Sequence, residues 1–216
     1  MLKYLIGIIP LIIIVILYLI FDKNKSIKKN LLLLVLFIIG CIGSYICYRI
    51  EVYIGGYFPK IKTYGYIASI FYAIFGVAIF EEGYKWFFAN SFIYKRKLSK
   101  IEIMEYAIFI SLGFAIFENL VFYISKYGMD VAISRLYSAI PLHIGCAIFM
   151  GYLLGMDNHK IRYNILGLII PTCMHAFYNS FLYMKNDSLN IYSFLFLIII
   201  FLYILYKYVK IRLIKE

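Results

Sequence analysis

A chain of 216 residues that is 64% hydrophobic and 20% aromatic, with 15% charged residues, is too apolar for a water-soluble globular domain, in which the apolar share is roughly 45–50%. The net charge of +11 does not indicate nucleic acid, because the basic residues sit between apolar runs and form no stripe on a soluble face. Composition predicts an all-α polytopic membrane helical bundle, a single membrane domain over 1–216 partnered by the lipid bilayer.

The apolar runs are long enough for about seven transmembrane helices. Leu2 to Phe21 is the first, read as retained helix because no small-residue cleavage site marks its removal. A loop with Lys23, Lys25, Lys28 and Lys29 leads to a second span, Leu31 to Ile50, closed by Arg49 and Glu51. Gly55, Gly56 and Pro59 predict a turn or short re-entrant piece. The third span, Tyr64 to about Asn90, carries Glu81, Glu82 and Lys85, and its Trp86-Phe87-Phe88 reads as an interfacial aromatic belt. After Lys95, Arg96, Lys97 and Lys100 comes the fourth span, Ile103 to Ile124, with Glu118 and Asn119. The fifth, Arg135 to Met156, holds Pro141 and His143; the sixth, Tyr163 to Met184, holds Pro171, His175 and Asn179. A last span, Ile191 to Tyr206, ends in a basic tail. The four cysteines, Cys41, Cys47, Cys146 and Cys173, contain no C-x-x-C pair and read as small reduced packing residues.

Of the 22 lysines and arginines, 14 fall on one side of this layout and 7 on the other, with Lys85 inside a span. That bias predicts the N-terminus outside and the C-terminus and the Lys95–Lys100 loop in the cytoplasm.

The polar residues inside the spans carry the chemistry. An ionised carboxylate in hydrocarbon costs about 3 kcal/mol on insertion scales, and the third span has two in succession. On a helix Lys85 lies one turn on, where it partly neutralises them. At about 1.5 Å of rise per residue, Glu118 lies roughly 22 Å from the cytoplasmic face, His143 and His175 roughly 18 Å, and Glu81 roughly 14–20 Å. They share one layer. Taken singly each has a plain structural reading. Glu81, Glu82 and Lys85 can form an interfacial salt bridge, His143 can bond a carbonyl, and His175 with Asn179 can make an interhelical hydrogen bond. Phe114 reads as core packing and Arg135 as a snorkelling interfacial side chain. Together, carboxylates, imidazoles and amides in one layer match an acid–base hydrolytic site.

The motifs are also familiar. Glu81-Glu82-Gly-Tyr-Lys85 matches E-E-x-x-K, and Gly113-Phe114-Ala-Ile-Phe-Glu118-Asn119 matches G-F-x-x-x-E-N. Arg135 to Gly151, with His143 between, and His175-Ala-Phe-Tyr-Asn179 follow in order. In order and spacing they resemble the PrsW family of bacterial intramembrane proteases, distantly similar to CAAX prenyl endopeptidases and to the multi-pass scaffold subunit of gamma-secretase. The resemblance covers the motif-bearing, protease-like core at about 64–184. It implies a multi-pass protein of the bacterial cytoplasmic membrane that cleaves a single-pass membrane protein. In that family the best-known substrate class is an anti-sigma factor, cut to start a stress or antimicrobial-peptide response.

The favoured mechanism needs no cofactor: one of Glu81 and Glu82 takes a proton from water, and the other, with Lys85, tunes it. His143 and His175 act as acid or oxyanion stabiliser, with Asn119 and Asn179 holding them or donating directly, and Glu118 orients a histidine or the water. Arg135 is a further supporting residue. The alternative is a zinc protease with Glu118, His143 and His175 as ligands and Glu81 or Glu82 as base. A non-catalytic scaffold and a proton-coupled transporter are the non-protease readings; the motifs fall in a single stretch without a symmetry-related half, which speaks against the transporter.

Overall fold

The computed structural model describes residues 26–57, 65–94, 98–156 and 161–184, with isolated positions elsewhere. The expected first and last spans, Pro59, Lys95 to Lys97 and the basic tail lie outside these residues, apart from such isolated positions. Everything regular among the described residues is helical. Helix α1 is Ile27–Tyr57, α2 is Gly65–Tyr72 and α3 is Ile79–Ile93, the last two joined by a π-helical stretch, Ala73–Ala78. Helix α4, Lys100–Phe117, runs into a second π-helical stretch, Glu118–Ile124, and the short Ser125–Tyr127. Then come α5, Met129–Tyr137, α6, Ala139–Leu154, and α7, Ile161–Met184. Among the described residues five segments are long and apolar enough to cross a membrane: Ile27–Gly56, Tyr66–Ile93, Lys100–Tyr123, Met129–Leu154 and Ile161–Met184.

Local chemistry explains most boundaries. The Ser99 hydroxyl accepts from the Glu102 backbone N–H at 3.3 Å while the Glu102 carboxylate accepts from the Ser99 N–H at 2.8 Å, closing a capping box at the start of α4. Gly128 takes a positive φ of 95°, open to glycine, and so turns the chain into α5. Pro141 sits in the first turn of α6, where its missing N–H costs no helical bond. Pro171 lies inside α7, and its carbonyl accepts from the Cys146 thiol at 3.6 Å.

Two expectations change, and the third span runs a little longer than expected. The helix runs through Gly55 and Gly56 to Tyr57 instead of turning there, because in hydrocarbon a bonded helical backbone outweighs the turn preference of glycine. Helix α3 continues past the aromatic triplet to Ile93, and the Trp86 indole N–H donates to the Asn164 carbonyl at 2.9 Å, so Trp86 ties α3 to α7. The fifth segment starts at Met129, ahead of Arg135, and is broken at Ser138, whose φ and ψ of −122° and −77° are not helical. Of the cysteines, all free, Cys47 and Cys146 are buried as expected, whereas Cys173 is exposed.

Helix α1 packs on α4, α4 on α6 and α6 on α7, and α3 touches all four. The closest approach is reciprocal: a Cβ on Gly40 would strike the Ile110 carbonyl, and one on Gly113 the Phe37 carbonyl. Thus Gly113, which precedes Glu118 by five residues, lets α4 seat against α1. Leu36, Ile93, Phe109, Ile110, Met150 and Leu154 belong to an apolar core at the end of the bundle where α3 finishes and α4 begins. The buried charged residues lie farther along, toward the Gly65 and Gly128 end.

Candidate active site and metal centre

Because α3 is enclosed by four helices, neighbouring residues on it are both inside: Glu81 and Glu82 are 4% and 0% exposed, and Lys85 1%. Glu82 is the better bound of the pair. Its Oε1 accepts from Lys85 Nζ at 2.8 Å and from His175 Nδ1 on α7 at 2.8 Å. Glu81 Oε2 makes looser approaches, 3.7 Å to Lys85 Nζ, 3.9 Å to His175 Nδ1 and 4.0 Å to His143 Nδ1.

His143, on α6, is held at both nitrogens. Its Nε2 meets Glu118 Oε2 at 2.9 Å and its Nδ1 meets Lys85 Nζ at 2.9 Å. An ionised carboxylate only accepts and an ammonium only donates, so the partners assign the tautomer: Nε2 carries the proton and Nδ1 presents its lone pair to Lys85. Glu118 also pairs with Arg135 at 2.8 Å, and the Arg135 guanidinium stacks on Tyr123 at 3.8 Å. The two imidazoles meet edge to face, with ring centroids 5.1 Å apart. Ser111 pins the backbone beneath them, its hydroxyl donating to the His143 carbonyl at 2.8 Å.

One ligand atom each from Glu81, Glu82, His143 and His175 lies within 4.8 Å of the others. Two imidazoles and two carboxylates form a donor set that suits zinc. Among the described residues Glu81 Oε2 and Glu82 Oε2 are buried without hydrogen-bond donors, and buried carboxylate oxygens without donors favour a cation. The residues therefore fit a metal ion. The set differs from the one expected from sequence, because Glu118 stands behind His143, on its far nitrogen, while Glu81 and Glu82 stand in front. A carboxylate bonded to the outer nitrogen of a metal-binding histidine is the usual supporting arrangement.

The structure thus brings Glu81, Glu82, Lys85, Glu118, Arg135, His143 and His175 into one connected network. Arg135 is drawn inward to Glu118 and does not snorkel, since its side chain is 13% exposed. Phe114 packs as expected and also lies under the Lys85 ammonium, 4.2 Å from Nζ to ring centroid. Asn119 does not hold a histidine: it is fully buried and, among the described residues, neither amide atom has a hydrogen-bond partner. Asn179 is buried one turn after His175, but carboxylates and Lys85 hold the imidazoles. One residue was missed. Glu51 of α1 comes within hydrogen-bonding reach of Glu81, whereas in sequence it reads as an interfacial charge beside Arg49. The continuing apolar Val52-Tyr53-Ile54 was the available signal that the span runs on and takes Glu51 inside.

Comparison with known proteins adds a family. The profile described as PrsW family intramembrane metalloprotease matches residues 28–206. A protein named Protease PrsW from Clostridioides difficile is 28% identical over 217 residues, covering 94% of this chain and 87% of that protein. Proteins of the same name from Oceanobacillus iheyensis and Shouchella clausii are 28% and 31% identical, over 68% and 60% of this chain and 70% and 63% of their own lengths. No solved structure matches.

Proposed function

The chain belongs to the PrsW family of intramembrane metalloproteases, and from that premise we propose that it is a zinc-dependent endopeptidase of a bacterial cell membrane. Its substrate class is a membrane-anchored protein, of the anti-sigma-factor kind implied by the motif resemblance. The observation that carries the metal reading is the buried convergence of Glu81, Glu82, His143 and His175 from three helices. It favours the metal over the cofactor-free glutamate mechanism preferred from the motifs alone. The family match likewise favours a protease over a silent scaffold or a transporter.

In this reading Glu82, His143 and His175 hold the ion and Glu81 is the general base. Zinc bound there supplies Lewis-acid polarisation and activation of water. Glu81 suits the base because its Oε2 comes no closer than 3.7 Å to Lys85 and 3.9 Å to His175, whereas Glu82 is anchored by both through Oε1 at 2.8 Å. Glu81 takes a proton from the attacking water and returns it to the leaving amine, so hydroxyl ends on the acyl carbon and hydrogen on nitrogen. Glu118, braced by Arg135, fixes the ring of His143. Burial excludes bulk water and strengthens each of these interactions.

The test uses purified protein in proteoliposomes with a single-pass reporter substrate. Stoichiometric zinc, loss of cleavage on chelation and recovery on zinc addition are expected. Cleavage that survives complete metal removal would return the mechanism to the two glutamates alone.

A further inference from the structure

The metal group contains a cation of the protein's own. Lys85 Nζ lies 2.8 Å from Glu82 Oε1, 2.9 Å from His143 Nδ1 and 3.7 Å from Glu81 Oε2, so it addresses three of the four residues that fit a metal. It is 1% exposed, with its charge against the face of Phe114. Two features make this more than a neighbouring salt bridge. An imidazole nitrogen has one in-plane lone pair, and His143 has one nitrogen left to offer, because Nε2 is committed to Glu118. That lone pair, on Nδ1, accepts from Lys85. The same atom cannot accept an N–H and coordinate an ion at once. Glu82 Oε1 is similarly claimed, by Lys85 and by His175.

We propose that Lys85 is a tethered cation that competes with the metal for His143 Nδ1 and Glu82 Oε1, so that loading the site requires the ammonium to let go. This rests on the metal reading above and concerns how that site is regulated. The ammonium balances the buried carboxylates when it sits on His143 and Glu82, where it keeps the two histidines and two glutamates together. A divalent ion takes over both tasks. Release needs another place for the charge within reach, and the face of Phe114, 4.2 Å from Nζ to ring centroid, is one. The lysine therefore sets a threshold: metal enters only where its availability outweighs the tethered charge.

The sign of one measurement separates this role from a merely structural one. Zinc affinity is read by competition with a chromophoric chelator, on wild type, Lys85→Met and Lys85→Gln in detergent. Removing a positive charge in contact with the ligands is expected to tighten zinc binding by about tenfold or more. A lysine that only scaffolds the site would loosen it when replaced, and equal or weaker binding in both variants overturns the inference. Wild type supplies a second readout that does not depend on the variants folding. Amidination of Lys85, followed by mass spectrometry, should rise when zinc is added, and no rise counts against release. If neither wild type nor variants bind zinc, the metal reading itself fails and this inference with it. Binding in all three at one affinity sinks the competition alone.

Discussion

At the scale of single residues the two adjacent glutamates are unequal, and the inequality is a matter of partners. Glu82 accepts from Lys85 and His175, whereas the Glu81 Oε2 approaches to those two groups and to His143 all exceed 3.6 Å. Glu81→Gln is therefore expected to lower cleavage by about 10²–10⁴-fold, the usual contribution of a general base, while keeping zinc. Glu82→Gln is expected to lose cleavage and zinc together. Metal content and reporter cleavage, measured side by side, distinguish the pair; identical losses in both would contradict the assignment. In the proposed site Glu118 acts through His143, whose Nε2 it meets at 2.9 Å. Glu118→Gln keeps the shape but removes the charge that Arg135 and His143 Nε2 both address. A loss of about 10–100-fold in activity or metal affinity is expected, as for other supporting carboxylates. Motif spacing brought these residues into view, but their division of labour was illegible there, since spacing along a helix does not say which oxygen meets which nitrogen.

At the scale of elements, two π-helical stretches adjoin the site, Ala73–Ala78 just before Glu81 and Glu118–Ile124 beginning at Glu118. Such stretches shift the register of a helix face and often accompany functional sites. Helix contacts then fix the depth at which each face acts. Gly113→Ala would push a methyl group into the Phe37 carbonyl, and overpacking of this kind costs about 1–3 kcal/mol. A lowered thermal midpoint in detergent, with cleavage falling as Glu118 is displaced, is the expected result. Gly83 provides the contrast. It lies within the Glu81–Lys85 motif, yet a Cβ there meets nothing within 4 Å. Gly83→Ala should keep or slightly raise stability, by up to about 1 kcal/mol from helix propensity. Should Gly83→Ala prove as damaging as Gly113→Ala, packing would not be what separates the two glycines.

Across the whole molecule, polarity is sorted along the bundle. The apolar core fills the end where α3 finishes and α4 begins, with Ile93, Ile103 and Met150 buried there. Glu51 lies beside Glu81, and toward the other end from the glutamate–histidine cluster come Tyr72, Tyr123 and Arg135, the Arg135 guanidinium resting on the Tyr123 ring. Water for hydrolysis is expected to come from that side. Single cysteines substituted for Tyr72 and Tyr123 should react with a water-soluble maleimide, while ones at Ile93 and Met150 should stay unmodified. The reverse pattern would move the entrance to the other end. Five of the expected spans are seen as helices, and their existence was legible because hydrocarbon leaves the backbone few alternatives to helix. The same cost of placing polar and charged groups in hydrocarbon marks Glu81, Glu82, Glu118, His143 and His175 in the sequence itself. Beyond that point one-dimensional information stops. Glu118 sits behind His143 and Glu81 beside it, Arg135 turns inward, and Glu51 joins from a helix outside the motifs. Each of these depends on how one helix is rotated and seated against another. Rotation and seating are set by contacts between residues far apart in the chain, such as Gly40 on Ile110 and Trp86 on Asn164, and no local pattern encodes them.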